Sequence, residues 1–82
     1  MEIIGYFLNN KPQIIVASDT ELKEAYNKAD RDYDPKSLWS YEDYIYNSLE
    51  VNVSQIYFVE ECEENTLNET KELVYSLLNE YN

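Results

Sequence analysis

Two short runs, Ile14-Ile15-Val16-Ala17 and Ile56-Tyr57-Phe58-Val59, constrain the fold of this chain more than any other feature. Both are rich in β-branched or aromatic residues, which suit a strand. Both are also apolar at every position, so each alternating face of such a strand carries apolar side chains. A sheet with one face in water alternates instead. Either helices of the same chain cover both faces, or one face meets a partner. The chain has 82 residues, enough for one domain that buries about two thirds of the surface its unfolded form exposes. A core of that size supplies on the order of 3–5 kcal/mol.

The local signals order the elements. Residues 2–8 (EIIGYFL) and 13–17 (QIIVA) read as strands joined through Asn9-Asn10-Lys11-Pro12. Asn tolerates positive φ and Pro suits a turn, so this is a β-hairpin. Ser18-Asp19-Thr20-Glu21 is a capping box, and Leu22, Ala25, Tyr26 and Ala29 follow at helical spacing, giving a helix over 19–30. Residues 31–36 form a loop, because Pro35 disfavours helix at Asp34. Ser37 is placed to cap a second helix with Leu38, Tyr41, Ile45, Ser48 and Leu49 on one stripe, widened by Trp39, Tyr44 and Tyr46. The aromatic content of residues 38–50 also supports a strand there. Residues 52–61 read as a third strand. Asn65 or Thr66 caps a last helix, with Thr66 and Glu69 at capping-box spacing. Its stripe is Leu67, Val74, Leu77, Leu78 and Tyr81, with Leu73 alongside. The order ββααβα predicts one small α+β domain over residues 1–82: a three-stranded, largely antiparallel sheet packed with two or three helices.

Composition then removes chemistries. With no His, Ser-His-Asp and Cys-His catalysis and His-dependent zinc sites are excluded. A lone Gly5 cannot supply a Gly-rich phosphate loop. A single cysteine, Cys62, closes no disulfide within the chain and fits a reducing compartment. The N-terminal residues lack the basic and long apolar regions of a signal peptide. No apolar stretch approaches the ~20 residues of a membrane span. A cytoplasmic protein is therefore expected, with no cofactor and no membrane contact.

Two local patterns invite a site and do not complete one. Asp30-Arg31-Asp32-Tyr33-Asp34 opens like a calcium loop, but Pro35 stands where that loop needs Gly and Tyr41 where it needs a bidentate Glu. Cys62 lies within Glu60-Glu61-Cys62-Glu63-Glu64, whose carboxylates disfavour the thiolate a nucleophile needs. Paired carboxylates are numerous, yet nothing singles out two for acid–base work. No catalytic and no metal-ligating residue is assigned.

Charge carries the functional signal. The net charge is −11, with 17 acids against 6 bases. Residues 1–41 hold seven acids and five bases, whereas residues 42–82 hold ten acids and only Lys71. Such a chain does not bind DNA, RNA or an anionic membrane directly, because phosphate binding draws on Lys and Arg. Concentrated like charge costs folding stability, and one use for that cost is attraction to a basic surface. Nine tyrosines are the second unusual feature; such residues are enriched at interfaces, and about half are expected in the core.

In size, charge and richness in Asn, Tyr and Glu the chain is similar in kind to small phage-encoded inhibitors that mimic DNA, including anti-CRISPR proteins and uracil-DNA glycosylase inhibitors. The likeness is compositional and transfers no residue. The reading that follows is a non-enzymatic inhibitor occupying the basic groove of a nucleic-acid-binding protein, such as a CRISPR effector or nuclease. Glu42, Asp43, Glu60, Glu61, Glu63 and Glu64 would supply phosphate-like charge, and Trp39, Tyr44 and Tyr46 the anchors. The alternative is a protein–protein adaptor or immunity-type protein, a homodimer in one form, whose acidity serves solubility only. Glu60 and Glu61, being adjacent, point to opposite sides of an ideal strand, so the patch is expected to be divided.

Overall fold

Three strands and three helices follow each other in the predicted order in a computed structural model that describes residues 1–81: β1 (Glu2–Leu8), β2 (Lys11–Ala17), α1 (Asp19–Asp32), α2 (Tyr41–Ser48), β3 (Ile56–Glu61) and α3 (Leu67–Glu80). The sheet order is β2-β1-β3 with both pairings antiparallel, so the first strand is central. Asn9 and Asn10 join β1 to β2 with φ of 52° and 65°. That is the two-residue turn whose positive φ values match strand twist and favour Asn. Lys11 and Pro12 belong to β2 rather than to the turn.

Alternation along β1 divides the sheet into two faces. Ile3, Gly5 and Phe7 look toward α3, where Ile3, Val74 and Leu78 form a buried cluster joined by Phe7, Ile14, Val16, Phe58, Cys62 and Leu67. Each such apolar side chain contributes about 1.5–3 kcal/mol when fully buried. On the other face Ile4 pairs with Ile15 and Val59, and Ile4 and Ala17 have no exposed surface. The chain itself therefore covers the centre of each face, and the edge remains partly open at Val59. α1 packs on α2 through a second buried cluster of Ala25, Ala29 and Ile45.

Several boundaries differ from the sequence reading, each for a local reason. α1 runs two residues beyond the expected end, and Tyr33 donates to the Ala29 carbonyl there. α2 starts at Tyr41 under a Ser40 cap, not a Ser37 cap: Asp43 N donates to Ser40 Oγ at 3.2 Å and Ser40 N to Asp43 Oδ2 at 2.8 Å. Ser37 instead accepts from Trp39 N, and Leu38 lies fully exposed off any helical stripe. Asn52 caps a 3-10 turn, Val53–Gln55, and delays β3 to Ile56. Thr66 turns its hydroxyl back to the Glu63 backbone, so neither it nor Asn65 caps α3 by a side-chain bond. Tyr81, expected on the apolar stripe of α3, and Leu73, expected alongside it, are both exposed.

β1 and β3 pair through Gly5–Phe58 and then Tyr6–Ile56, which leaves Tyr57 as a bulge. Its ring packs edge-on against Phe7 at 4.8 Å and meets Tyr81 at 5.7 Å, while Phe58 meets Tyr81 at 5.9 Å. These rings tie the end of α3 to the β3 edge. None of the nine tyrosines is fully buried: aliphatic side chains fill the core, and four tyrosines are half-buried at its margins.

Candidate partner-binding surface

The nine residues expected to bind a partner fall into three places. Glu60 pairs opposite Ile3 and stands on the α3 side of the sheet, whereas Glu61 pairs opposite Glu2 on the other side. The expected division of the acidic patch is thus present. Glu61 and Glu63 border a cleft of about 400 Å³ with Met1, Glu2, Asp19 and Cys62. Glu63 and Glu64 line an adjoining one with Met1, Ser18 and Asp19. One end of the sheet therefore gathers Glu2, Asp19, Glu61, Glu63 and Glu64.

Like charges opposite each other across a strand pair are destabilising, and Glu2 registers it: burial, and then the Glu61 charge, push its carboxyl above the ordinary value. The N-terminal ammonium lies 2.6 Å from Asp19 Oδ1, which holds its proton more tightly than usual. Among the described residues that is the sole ion pair. The bases that neighbour acids along the chain do not neutralise them in space. Cys62 is half-buried against the Ile3–Val74–Leu78 cluster, a packing position.

The second place is aromatic. Tyr33 meets Tyr41 at 5.7 Å and Tyr44 at 6.0 Å, and Trp39 meets Tyr44 at 5.5 Å. Trp39 and Tyr33 leave 47% and 42% of their surfaces exposed. The Tyr41 hydroxyl donates to Asp30 Oδ1 at 2.5 Å, and that bond raises its pKa. Asp34 accepts from Lys36 N in the following turn, so both acids make local contacts. Glu42 is exposed on the first turn of α2, and Asp43 is tied to the Ser40 cap through Oδ2.

Tyr46 stands apart from this group. Two residues along a helix is about 200° of rotation, so it looks away from Tyr44. Burial raises its pKa, and the charges of Glu2 and Glu42 add to the shift. Tyr46 is half-buried rather than an exposed anchor.

A groove of about 540 Å³ runs between α2 and the segment leading into β3, lined by Trp39, Asp43, Asn47, Glu50, Asn52 and Gln55 with Val51 and Val53. Sequence reasoning found Trp39 and Asp43 in it and missed the remainder. The only signal available was the helical spacing of Asp43 and Asn47. No helix among the described residues is long and apolar enough to cross a membrane. Comparison with protein-family models, with curated proteins and with solved structures found no match for this chain.

Proposed function

We propose that this protein is a non-enzymatic acidic inhibitor that occupies the basic groove of a nucleic-acid-binding protein, a CRISPR effector or another nuclease of the kind that phage-encoded inhibitors target. The observation that carries this reading is the absence, among the described residues, of any Lys or Arg within ion-pair distance of a carboxylate. Seventeen acids are held on a folded domain, and almost none is neutralised from within. Glu61, Glu63 and Glu64 stand exposed around one end of the sheet, beside Glu2 and Asp19. Carboxylates fixed on rigid elements imitate the charge of phosphates and steer the protein to Arg- and Lys-lined surfaces.

The test is capture from the lysate of a bacterial host, washed at low and high salt, with bound proteins identified by mass spectrometry. A basic nucleic-acid enzyme released by salt and displaced by DNA is the expected result. Reversing Glu60, Glu61, Glu63 and Glu64 to Lys should abolish its capture. If that variant retains every interaction of the parent, the groove reading is wrong.

A second reading, an adaptor or immunity-type partner, draws on the exposed surface of Leu38, Trp39 and Tyr33. Contacts of that kind survive a salt wash, since screening weakens charge attraction and not apolar burial. A second copy of the chain is one such partner, and sedimentation showing only monomer at high concentration removes it.

A further inference from the structure

The groove beside Trp39 has one aromatic wall, two carboxylates (Asp43 and Glu50), three carboxamides (Asn47, Asn52 and Gln55), and no Lys or Arg in its lining. Asp43 spends Oδ2 on the Ser40 cap, which fixes its side chain and leaves Oδ1 without a partner among the described residues. Glu50 makes no side-chain hydrogen bond or ion pair among them. It is held at the end of α2 by two turn bonds, Glu50 N to Asn47 O and Val51 N to Tyr46 O, each 3.0 Å. Trp39 packs against Tyr44 and keeps about half its surface free.

We propose that this groove binds a guanidinium group, the side chain of an arginine on a protein partner. A planar, weakly hydrated cation stacks on an indole face and presents five N–H donors in one plane. Two carboxylates and the carboxamide oxygens of Asn47 and Gln55 are acceptors for those donors, while the Asn52 oxygen is spent on Ser54. A lysine ammonium is compact and strongly hydrated and brings three donors, so it gains less from the same walls. A neutral ligand leaves the carboxylates desolvated without a counter-charge. That the arginine belongs to a protein rests on the basic-partner reading above. The preference of the groove for a guanidinium does not.

Trp39 is the only tryptophan of the chain, so its fluorescence reports on this groove. The whole protein is titrated with a blocked Gly-Arg-Gly peptide at about 0.15 M salt, where long-range charge effects are screened. The same peptide with lysine or with neutral citrulline in the central position provides the comparison. A saturable emission change is expected with arginine. Affinity should fall at least about threefold for the other two peptides and for Glu50→Gln, the scale of one exposed charge contact. Glu72→Gln/Glu80→Gln, altered at exposed positions of α3 outside the groove lining, should bind the arginine peptide like the parent. Equal affinity for citrulline or lysine, indifference to Glu50→Gln, or no saturable change overturns the site. Normal peptide binding by a protein that captures no basic partner would instead remove the inhibitor reading and leave the groove intact.

Discussion

Gly5→Ala tests the seating of α3 on the sheet. Gly5 lies on the central strand, and a β-carbon built there would stand 2.8 Å from Val74 Cγ1 and 3.0 Å from Leu78 Cδ1. Contacting carbon atoms prefer roughly 3.5–4.0 Å, so both contacts must open by about half an ångström or more. Leu78 has a rotatable terminal methyl that moves cheaply. Val74 is β-branched and stiff at χ1 in a helix, so relief there requires α3 to lift from β1. Overpacking of this kind costs about 1–3 kcal/mol, and the stiffer unfolded chain returns about 0.4–1 kcal/mol. The net loss should be about 1–2 kcal/mol, a large share of what a core this small supplies.

For a domain of this length each kcal/mol moves Tm by about 4–8 °C, so a drop of about 5–15 °C is expected in thermal unfolding followed by circular dichroism and calorimetry. Val74→Ala removes the crowding atom and is itself destabilising. In the double variant the new methyl occupies the vacated space, so its loss should be smaller than the sum of the two single losses by about 1 kcal/mol. A Gly5→Ala protein as stable as the parent would show that α3 does not rest on this residue. Strict additivity in the double variant would show that the harm has another source.

Other positions give independent readings. Glu50 holds φ of 63° at the residue after the α2 cap, a place that favours Gly. Glu50→Gly should therefore stabilise the fold by about 0.5–1 kcal/mol while weakening arginine-peptide binding, measured by calorimetry and Trp39 fluorescence. Glu2 has its carboxyl pushed above the ordinary 4.5 by burial and by Glu61, so its ionised form opposes folding at neutral pH. That penalty is present above its folded pKa and disappears as pH falls below the unfolded value. Glu2→Gln should raise Tm at pH 7 and give no advantage near pH 4, and a constant advantage across that range would contradict the assignment. Tyr41 has its pKa raised by the bond to Asp30. Its stabilising contact is present below the ordinary value of 10.0 and lost as pH rises through the folded one, so Tyr41→Phe should remove part of the alkaline decline in stability.

The elements that sequence reading placed well are those decided within a few residues. Ser18 and Glu21 needed only each other to start α1, and Asn9 and Asn10 only their tolerance of positive φ. The choice between Ser37 and Ser40 was also local: Ser40 has Asp43 three residues on, while Ser37 has only Ser40 there. That spacing alone marks the start of α2. The Tyr57 bulge could not be read, because it depends on how β3 lies against β1. The groove was illegible for the same kind of reason, since the turn at Glu50 carries no Gly to announce it and brings Gln55 near Trp39 only in space. In the proposed surface, strand alternation separates Glu60 from Glu61, and helix rotation separates Tyr46 from Tyr44.

The acids themselves divide by use, and that division yields the sharpest test of the functional reading. Asp19, Glu21, Asp30, Asp34 and Asp43 accept hydrogen bonds from nearby groups and do structural work, and four of the five lie in the first half of the chain. Glu61, Glu63 and Glu64 lie in the half that carries ten acids and one base. Two unit charges about 8–10 Å apart in water repel by about 0.4–0.5 kcal/mol, so several such neighbours burden the fold by on the order of 1 kcal/mol. Neutralising all three to Gln should therefore raise Tm by a few degrees at low salt. The gain should shrink as salt screens the parent, whose own Tm should rise with ionic strength because the one ion pair among the described residues gives screening little to weaken. The same variant should lose affinity for a basic partner. A change that strengthens the fold and weakens the contact identifies charges kept for what they meet outside the molecule. A variant that unfolds more easily than the parent would show that these carboxylates serve the fold, and the inhibitor reading would lose its physical basis.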